Sequence, residues 1–418
     1  LAAFALGGAI SLIGALCYAE LATAYPREGG DYVYLTRGLG RRTGFLFAWS
    51  EFWIVRPGNI GAMAFVFARY ASELRPLRGD GTDLLIYALG SVALLTVVNV
   101  LGVQTGKWTQ NVLTIVKVAG LLAVFAIGLW LTASQTSPPK PTSEAWPPGF
   151  RLAMILVLFT YGGWNEMSYV AAEVRNPNRN ILRALLLGAL AVTGVYLLVN
   201  IAFLGALGFQ GVRESDALAS DVLRIPFGEG GAKAISLLIC ISSLGAINGM
   251  IFTGARVSYA LGTEHRLYAW LGRWNERLQV PVRSLVLQGI ITMLLVAFFF
   301  MALWENSFTD LVAFTAPFFW YFLAAVGVSF LVLRESDPHT PRPFRTPLYP
   351  LEPLLFIASS LFMLYSGLDY AMGKGLDEAG KVVDDRRWYL HFESLWPVGI
   401  MLLGLVLSFF DPPMDSKR

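Results

Sequence analysis

Apolar stretches of about 20 residues recur along the whole chain, and this repetition limits the possible folds more than any other feature. A helix of about 20 apolar residues crosses the roughly 30 Å hydrocarbon core of a bilayer. The chain is 55% hydrophobic and only 15% charged, whereas soluble domains are about 25% charged. We therefore predict an all-α polytopic membrane protein. The eleven predicted transmembrane helices are Leu1–Thr23, Phe45–Ala71, Leu84–Leu101, Val112–Leu131, Phe150–Val174, Ala184–Leu207, Ala232–Ala260, Ser284–Leu303, Leu311–Leu333, Leu348–Leu368 and Leu395–Phe410.

The connections between these stretches are too short for a separate enzyme domain, so residues 1–418 are predicted to form a single transmembrane domain. The sequence has no Walker loop, HExxH or GxSxG motif and no metal-ligand spacing, so we predict no catalytic residue, no metal and no cofactor. Cys17 and Cys240 lie inside predicted helices, which favours packing over a disulfide. The basic residues are scattered over loops, and this does not indicate nucleic-acid binding.

Orientation follows from the loops, because short cytoplasmic loops accumulate Lys and Arg. One set of loops, which includes Tyr25–Arg42 and Thr263–Arg283, holds most of the loop cations, so we place that set and the C-terminus in the cytoplasm. Eleven helices then put residue 1 outside, although the chain begins with Leu in mid-helix and without a basic flank. We expect that one N-terminal helix precedes this sequence and that the full protein has about twelve.

Two adjacent glycines, Gly162 and Gly163, interrupt the stretch Phe150–Val174. Each glycine costs a helix interior about 1 kcal/mol relative to Ala, and irregular backbone survives in a membrane only beside protein or a water-filled cavity. Freed amides and carbonyls at such a break can hold the carboxylate and ammonium of a zwitterion. The alternative is close packing of helices through small residues.

Charged residues inside predicted helices are the second anomaly, because an ionisable group in the membrane usually faces a cavity or a partner. Glu166 follows the glycines and is interpreted as part of a gating or structural ion pair. Arg56 precedes Pro57, which marks a kink, and a structural salt bridge competes with a functional role. Lys117 lies about six residues into its helix, where snorkelling to the surface is the alternative to a functional role.

The stretch from Ser242 to Gly254 carries small and polar residues, among them Ser243 and Asn248. Such a stripe suits either tight helix packing or the wall of a polar path.

Four segments in consistent order resemble one family: SLIGALCYAELATAYPREGGDYVYL (11–35), FTYGGWNEMSYVAAEVRNPNRN (159–180), GAINGMIFTGARVSYALGTEHRL (245–267) and RPFRTPLYPLEPLLF (342–356). They are similar to the amino acid–polyamine–organocation permeases, and within these to the L-type amino acid transporter branch. The resemblance runs from residue 1 to about residue 370.

The resemblance implies the leucine-transporter fold, in which two inverted repeats of five helices are followed by two further helices. By this mapping the family's first helix is missing from this chain. About 1–131 is the rest of the first repeat, 150–333 the second repeat, and 348–410 the two C-terminal helices.

The same resemblance implies a substrate site at the break of the family's sixth helix. Phe159 matches the aromatic residue that gates the pocket, and Ser243 and Asn248 are wall residues on the eighth helix. The predicted substrate-binding residues are Phe159, Thr160, Tyr161, Gly162, Gly163, Asn165, Ser243 and Asn248.

Lys117 matches the fifth-helix lysine of sodium-independent members of the family. Its ammonium would occupy the place of a sodium ion that ties helices together in sodium-coupled relatives. A fixed cation of this kind removes the need for a sodium gradient.

Eukaryotic members of the branch bond a heavy chain through a cysteine in the loop after the third helix. That loop here reads ELRPLRGDGTD (73–83) and has no cysteine, and the chain has no N-x-[ST] sequon. We therefore expect a bacterial inner-membrane permease without a disulfide-linked heavy chain.

The predicted function is secondary active transport of amino acids by alternating access, as sodium-independent exchange or proton-linked uptake of neutral substrates. Apart from Glu166, no carboxylate is placed near the break, so cationic substrates are less favoured. The alternative is a non-transporting receptor or scaffold, or a degenerate permease remnant, with the same fold.

Overall fold

The computed structural model describes residues 1–79, 81–134, 154, 157–158, 160–215, 217–303, 307–371, 374–376, 382–384 and 388–411. These residues form twelve α-helices: α1 (Ala2–Ala24), α2 (Asp31–Leu39), α3 (Arg41–Ser50), α4 (Arg56–Leu74), α5 (Thr82–Val100), α6 (Val103–Ser134), α7 (Pro177–Glu214), α8 (Leu218–Glu264), α9 (Val282–Leu303), α10 (Ser307–Ser336), α11 (Leu351–Ala371) and α12 (Trp388–Phe410). A π-helix (Glu51–Val55) and two 3₁₀ helices (Trp164–Glu173 and Arg266–Tyr268) complete the helical structure of the described residues.

The prediction of an all-α polytopic membrane protein is confirmed. Eight helices of the described part are long and apolar enough to cross a membrane, and Trp396–Phe410 is a shorter apolar helix. The predicted helix Phe45–Ala71 corresponds to α3, the π-helix and α4, which follow one another without a gap. The predicted helix Phe150–Val174 differs, because its described second half is a turn and a 3₁₀ helix.

The two longest helices, α7 and α8, each consist of two helical segments that meet at a glycine. The backbone leaves helical geometry at Gly208 in α7 (φ +70°) and at Gly228 in α8 (φ +55°). Pro226 stands two residues before the second break and cannot donate a helical hydrogen bond. The predicted stretch Ala232–Ala260 is therefore only the part of α8 beyond this break.

One short β-hairpin accompanies the helices in the described part of the chain. Strands β1 (Lys374–Leu376) and β2 (Val382–Asp384) pair antiparallel, with Gly375 opposite Val383. This part of the sequence is too polar to continue a transmembrane helix, and a search for apolar stretches of about 20 residues cannot detect strands of three.

The described residues form two large hydrophobic clusters and two small ones, and the small ones lie between α6, α7 and α8. One large cluster joins α1, α2, α3 and the Trp164–Glu173 helix to α10 and α11. The other large cluster joins α4 and α5 to α8, α9 and α10. The Trp164–Glu173 helix itself contacts α1, α7 and α8, so the segment that follows the two glycines lies among three long helices.

Candidate functional site

The backbone break predicted at Gly162 and Gly163 is present. Thr160 is helical, residues 161–163 form a turn, and the 3₁₀ helix starts at Trp164. Gly163 has φ +93° and ψ −6°, a left-handed conformation that glycine adopts at little cost. A Cβ added at Gly163 would meet no atom within 4 Å. Its backbone conformation, and not close helix packing, therefore explains a glycine at this position.

The residues before the break are fixed by two tyrosines. The Tyr196 hydroxyl donates to the Thr160 carbonyl at 3.0 Å, and the buried Tyr161 donates to the Phe4 carbonyl at 2.9 Å. The Tyr161 and Tyr196 rings meet edge to face, with centroids 5.1 Å apart. The hydroxyl of Tyr161 is thus directed to α1, whereas Gly162 and Gly163 are exposed.

Gly162 and Trp164 line a narrow, partly open cavity of about 20 Å³. Its other walls come from Leu158 and from three helices, α1, α10 and α11. The lining residues of these helices are Ile10, Ser11, Phe319, Trp320, Leu323, Phe356, Ser359 and Ser360. Backbone groups of the break therefore stand at the edge of a mainly aromatic and aliphatic space with a few hydroxyl groups, the composition typical of small-molecule sites.

Asn165 is buried on the other side of the 3₁₀ helix. Its side-chain amide nitrogen donates to the Tyr169 hydroxyl at 3.3 Å. Its backbone carbonyl accepts from the Ser168 hydroxyl at 2.8 Å. The Tyr169 hydroxyl donates in turn to Asp31 at 3.0 Å. The side chain of Asn165 is thus directed toward the start of α2.

Ser243 and Asn248 are buried in α8. Ser243 donates to the carbonyl of Ile239 in its own helix. Asn248 accepts from Asn99 of α5 at 2.8 Å and donates to Gln110 of α6 at 2.9 Å. These bonds favour the packing alternative for both residues, since none of them involves the Gly162–Gly163 turn.

Lys117 is exposed in α6 and has no ion-pair partner among the residues that the structure describes. The predicted gating residue Phe159 lies outside the described residues, so its position at the break stays a prediction.

Arg56 and Glu166, predicted as ion-pair residues, bind each other. One guanidinium nitrogen of Arg56, Nη1, lies 2.9 and 3.0 Å from the two carboxylate oxygens of Glu166. The other nitrogens bind Glu51, with Nη2 at 3.0 Å and Nε at 3.1 Å from one carboxylate oxygen. Thr253 of α8 donates to the same Glu166 carboxylate. One buried cation therefore joins α4, the 3₁₀ helix and α8.

The π-helix explains why Glu51 reaches Arg56. The Arg56 amide donates to the carbonyl of Glu51, five residues earlier, so one turn is wider than in an α-helix and residues five apart share a face. Pro57 follows at once and cannot donate a backbone hydrogen bond, a common cause of such irregularity. The acidic residue five positions before Arg56 was the sequence signal for this partner, and a search for α-helical spacings of three and four misses it.

A second ion-pair group holds the far end of the 3₁₀ helix. Arg256 of α8 is fully buried, and its Nε and Nη2 each lie 3.0 Å from Glu173 Oε1. Lys107 of α6 reaches the other carboxylate oxygen at 3.1 Å. The guanidinium of Arg256 also stacks 3.8 Å from the centre of the Phe252 ring.

The two groups give the segment after the break an anchor at each end. Glu166 is in its first turn and Glu173 is its last residue. The exposed glycine turn before it has no comparable anchor in the described part of the chain. The geometry can therefore bend at the turn, while release of the 3₁₀ helix requires the parting of oppositely charged groups.

The chain is similar to amino acid transporters over most of its length. The amino acid permease family profile matches residues 1–390. The b(0,+)-type amino acid transporter 1 of Mus musculus is 26% identical over 96% of this chain and 78% of its own length. The serine/threonine exchanger SteT of Bacillus subtilis (strain 168) is 30% identical over 88% of this chain and 82% of its own. The large neutral amino acids transporter small subunit 2 of Homo sapiens is 30% identical over 86% of this chain and 68% of its own.

Proposed function

Because this chain belongs to the amino acid permease family, which is a family of membrane transporters and not of enzymes, we propose that it carries neutral amino acids by alternating access at the Gly162–Gly163 break. The mode of transport is sodium-independent exchange or proton-linked uptake. The alternative of a non-transporting receptor is disfavoured because the compared relatives are named as transporters and an exchanger.

The observation that carries the proposal is the left-handed turn at Gly163. It ends the preceding helical segment beside the cavity, where Gly162 presents only backbone groups. Such groups bind a carboxylate and an ammonium without a charged side chain. Every amino acid substrate has both groups, so the backbone of the break is suited to the part that all substrates share.

The preference for a neutral side chain rests on the state of Glu166. Both oxygens of this carboxylate are bound by Arg56, so it is not available to pair with a cationic substrate. Two of the relatives are named for neutral substrates, serine and threonine in one and large neutral amino acids in the other. The aromatic lining of the cavity suits an uncharged side chain.

Transport of radiolabelled amino acids into liposomes by the full-length protein tests the proposal. We expect exchange of neutral amino acids without a sodium gradient, and little exchange of lysine or glutamate. Gly162→Leu fills the turn, so we expect a loss of at least about tenfold, or about 1.4 kcal/mol in transition-state free energy. The matched control is Gly188→Ala, at an exposed position in α7 where a Cβ meets no neighbour within 4 Å.

Lys117→Ala tests the predicted substitute for sodium. If the ammonium fixes the helices in place of an ion, this variant loses sodium-independent exchange while it still folds. Normal transport by both Gly162→Leu and Lys117→Ala contradicts the proposed site, and absence of exchange of any amino acid contradicts the proposed function.

We further propose a bacterial inner-membrane location, with the C-terminus in the cytoplasm and without a disulfide-linked heavy chain. Cys17 and Cys240 are the two cysteines of the chain, and both are buried and unpaired. The human relative is named a small subunit, but this chain offers no exposed thiol for such a bond. A reporter enzyme active only in the cytoplasm, fused after Arg418, tests the orientation.

A further inference from the structure

Asp31 is a buried carboxylate without a cationic partner. It is the first residue of α2, its side chain is 2% exposed, and one of its oxygens accepts the Tyr169 hydroxyl at 3.0 Å. The other oxygen has no hydrogen-bond partner among the residues that the structure describes. A buried ionised carboxylate without a cation is strongly disfavoured, so this environment favours the neutral acid.

The groups around Asp31 reinforce this effect. The hydroxyls of Tyr18 and Tyr34 are buried beside it, and neither carries a positive charge that could balance a carboxylate. Arg56, which lies over the ring of Tyr169, pairs with the carboxylates of Glu51 and Glu166 and not with Asp31. The titratable and charged groups facing Asp31 are Tyr18 from α1, Tyr34 from α2, Glu51 from the π-helix, Arg56 from α4, and Glu166 and Tyr169 from the 3₁₀ helix.

Three other helices pack on α2, and their polar contacts are with residues other than Asp31. The Arg41 guanidinium of α3 pairs with Asp411 at 3.1 Å. The other two helices are α8 and α10. Glu264 of α8 accepts from the Tyr32 hydroxyl at 2.7 Å. Ser329 of α10 donates to the carbonyl of Tyr34. None of the three helices supplies a countercharge to Asp31 in the described structure.

Burial raises the pKa of Asp31 from 3.8 to about 7. The Tyr18 and Tyr169 hydroxyls act in the opposite direction because they stabilise the carboxylate, whereas the charges of Glu51 and Glu166 raise the pKa further. Protonation at this position therefore changes within the physiological pH range.

The turn before Asp31 packs directly against the 3₁₀ helix that carries Glu166 and Glu173. The Gly29 amide donates to the Tyr169 carbonyl at 3.3 Å. A Cβ added at Gly30 would come within 2.5 Å of the Ser168 hydroxyl oxygen, so the turn before Asp31 lies directly against the segment. If the segment moves away, Asp31 loses Tyr169 and gains water.

From this geometry we propose that Asp31 is a proton-binding site, and that its protonation holds the Trp164–Glu173 helix closed against the bundle. The inference rests on the proposed transport function, because it assigns a coupling ion to the same moving segment. In the closed state Asp31 is the neutral acid. When the segment leaves, the O–H bond breaks, the proton passes to water, and the carboxylate is solvated.

The direction of the pH effect follows from proton linkage. The closed state holds the proton more tightly than the open state, because hydration returns the pKa of Asp31 toward 3.8. Low pH therefore favours closure, and a rise in pH through about 7 favours opening. Between about pH 6 and about pH 8 the ionised fraction of a group with this pKa rises about tenfold.

Infrared difference spectroscopy of the full-length protein in lipid tests protonation without any substrate. We expect a carbonyl stretch of a protonated carboxylic acid that disappears as the pH rises through about 7 and is absent in Asp31→Asn. Tyr169→Phe removes a hydrogen bond to the carboxylate, so its midpoint should move to higher pH. The matched control Glu264→Gln changes an exposed acid that binds another tyrosine of α2, and it should leave the band unchanged.

Exchange in liposomes tests the coupling. Wild type and Glu264→Gln should share one pH profile with a midpoint near 7, whereas Asp31→Asn should bind substrate and show a profile that is flat in this range. An infrared band that is identical in wild type and Asp31→Asn overturns the proton site even if exchange is normal. Absence of exchange at every pH, with the band present, contradicts the proposed function and leaves the proton site standing.

Discussion

The turn at Gly162 and Gly163 and the 3₁₀ helix that follows it differ in how they are held. The turn is exposed, and a side chain added at Gly163 would touch nothing. The helix Trp164–Glu173 is bound at its first turn by Arg56 and at its last residue by Arg256. One predicted transmembrane helix thus bends at an exposed glycine turn and is held by ion pairs after the bend. This division suits a segment that moves as a unit about a flexible point.

Of the substitutions that test this difference, Arg56→Ala should lower the free energy of unfolding the most. It leaves Glu51 and Glu166 without their shared cation, and removal of one member of a buried ion pair costs about 3–5 kcal/mol. We expect a loss of this size in the free energy of unfolding, measured by denaturant titration in micelles.

Arg56→Lys is the control for Arg56→Ala. It keeps the charge, but a single ammonium cannot reproduce the fork that binds Glu51 and Glu166 at once. We expect a smaller loss than for alanine. Equal stability of wild type and Arg56→Ala would show that the first anchor does not hold the segment.

Arg256→Met tests the second anchor and should have an intermediate effect. Methionine fills much of the same volume, but Glu173 retains only Lys107 as a partner. Since Glu173 is partly exposed, we expect a loss of about 2 kcal/mol in the free energy of unfolding. Protease cleavage after Arg175 should also become faster, because the end of the 3₁₀ helix is freed. Unchanged cleavage and stability would contradict the anchor.

Gly163→Ala tests the glycine turn and should have a smaller effect. The left-handed conformation costs an alanine about 1 kcal/mol, and no clash adds to this. Gly188→Ala is the matched control. Gly188 also has no neighbours but lies in helix α7, so alanine should stabilise the protein by about 0.5–1 kcal/mol. If the two variants change the free energy of unfolding in opposite directions, the left-handed conformation of Gly163 is supported. Changes in the same direction contradict it.

The sequence predicts the helices and the break, but it does not predict which charged residues pair. The transmembrane helices could be read from hydropathy, and the break from a glycine pair inside an apolar stretch, because both are local properties. The positions of Arg56 and Glu166 inside apolar stretches predict that each charge needs a partner. Their pairing across 110 positions depends on how α4 meets the 3₁₀ helix, which no local pattern contains.

The small and polar residues of α8 also show that a local pattern does not determine tertiary contacts. A stripe of small and polar residues fits a substrate path and a tight helix interface equally well. The bonds of Asn248 to Asn99 and Gln110 favour the interface, and they depend on which helices neighbour α8. No sequence pattern singles out Asp31, because a carboxylate beside a Gly-Gly turn is ordinary in a loop. It becomes unusual only when the tertiary structure buries it without a cation.

Lys107→Met should have the smallest effect and separates the two partners of Glu173. The Lys107 side chain is 45% exposed, so solvent and salt screen its attraction to Glu173 at 3.1 Å. We expect a loss of about 0.3 kcal/mol in the free energy of unfolding, which should vanish at high salt. The buried Arg256 is screened much less, so the effect of Arg256→Met should persist at high salt. If Lys107→Met costs as much as Arg256→Met, the exposed lysine and not the buried arginine holds the end of the segment.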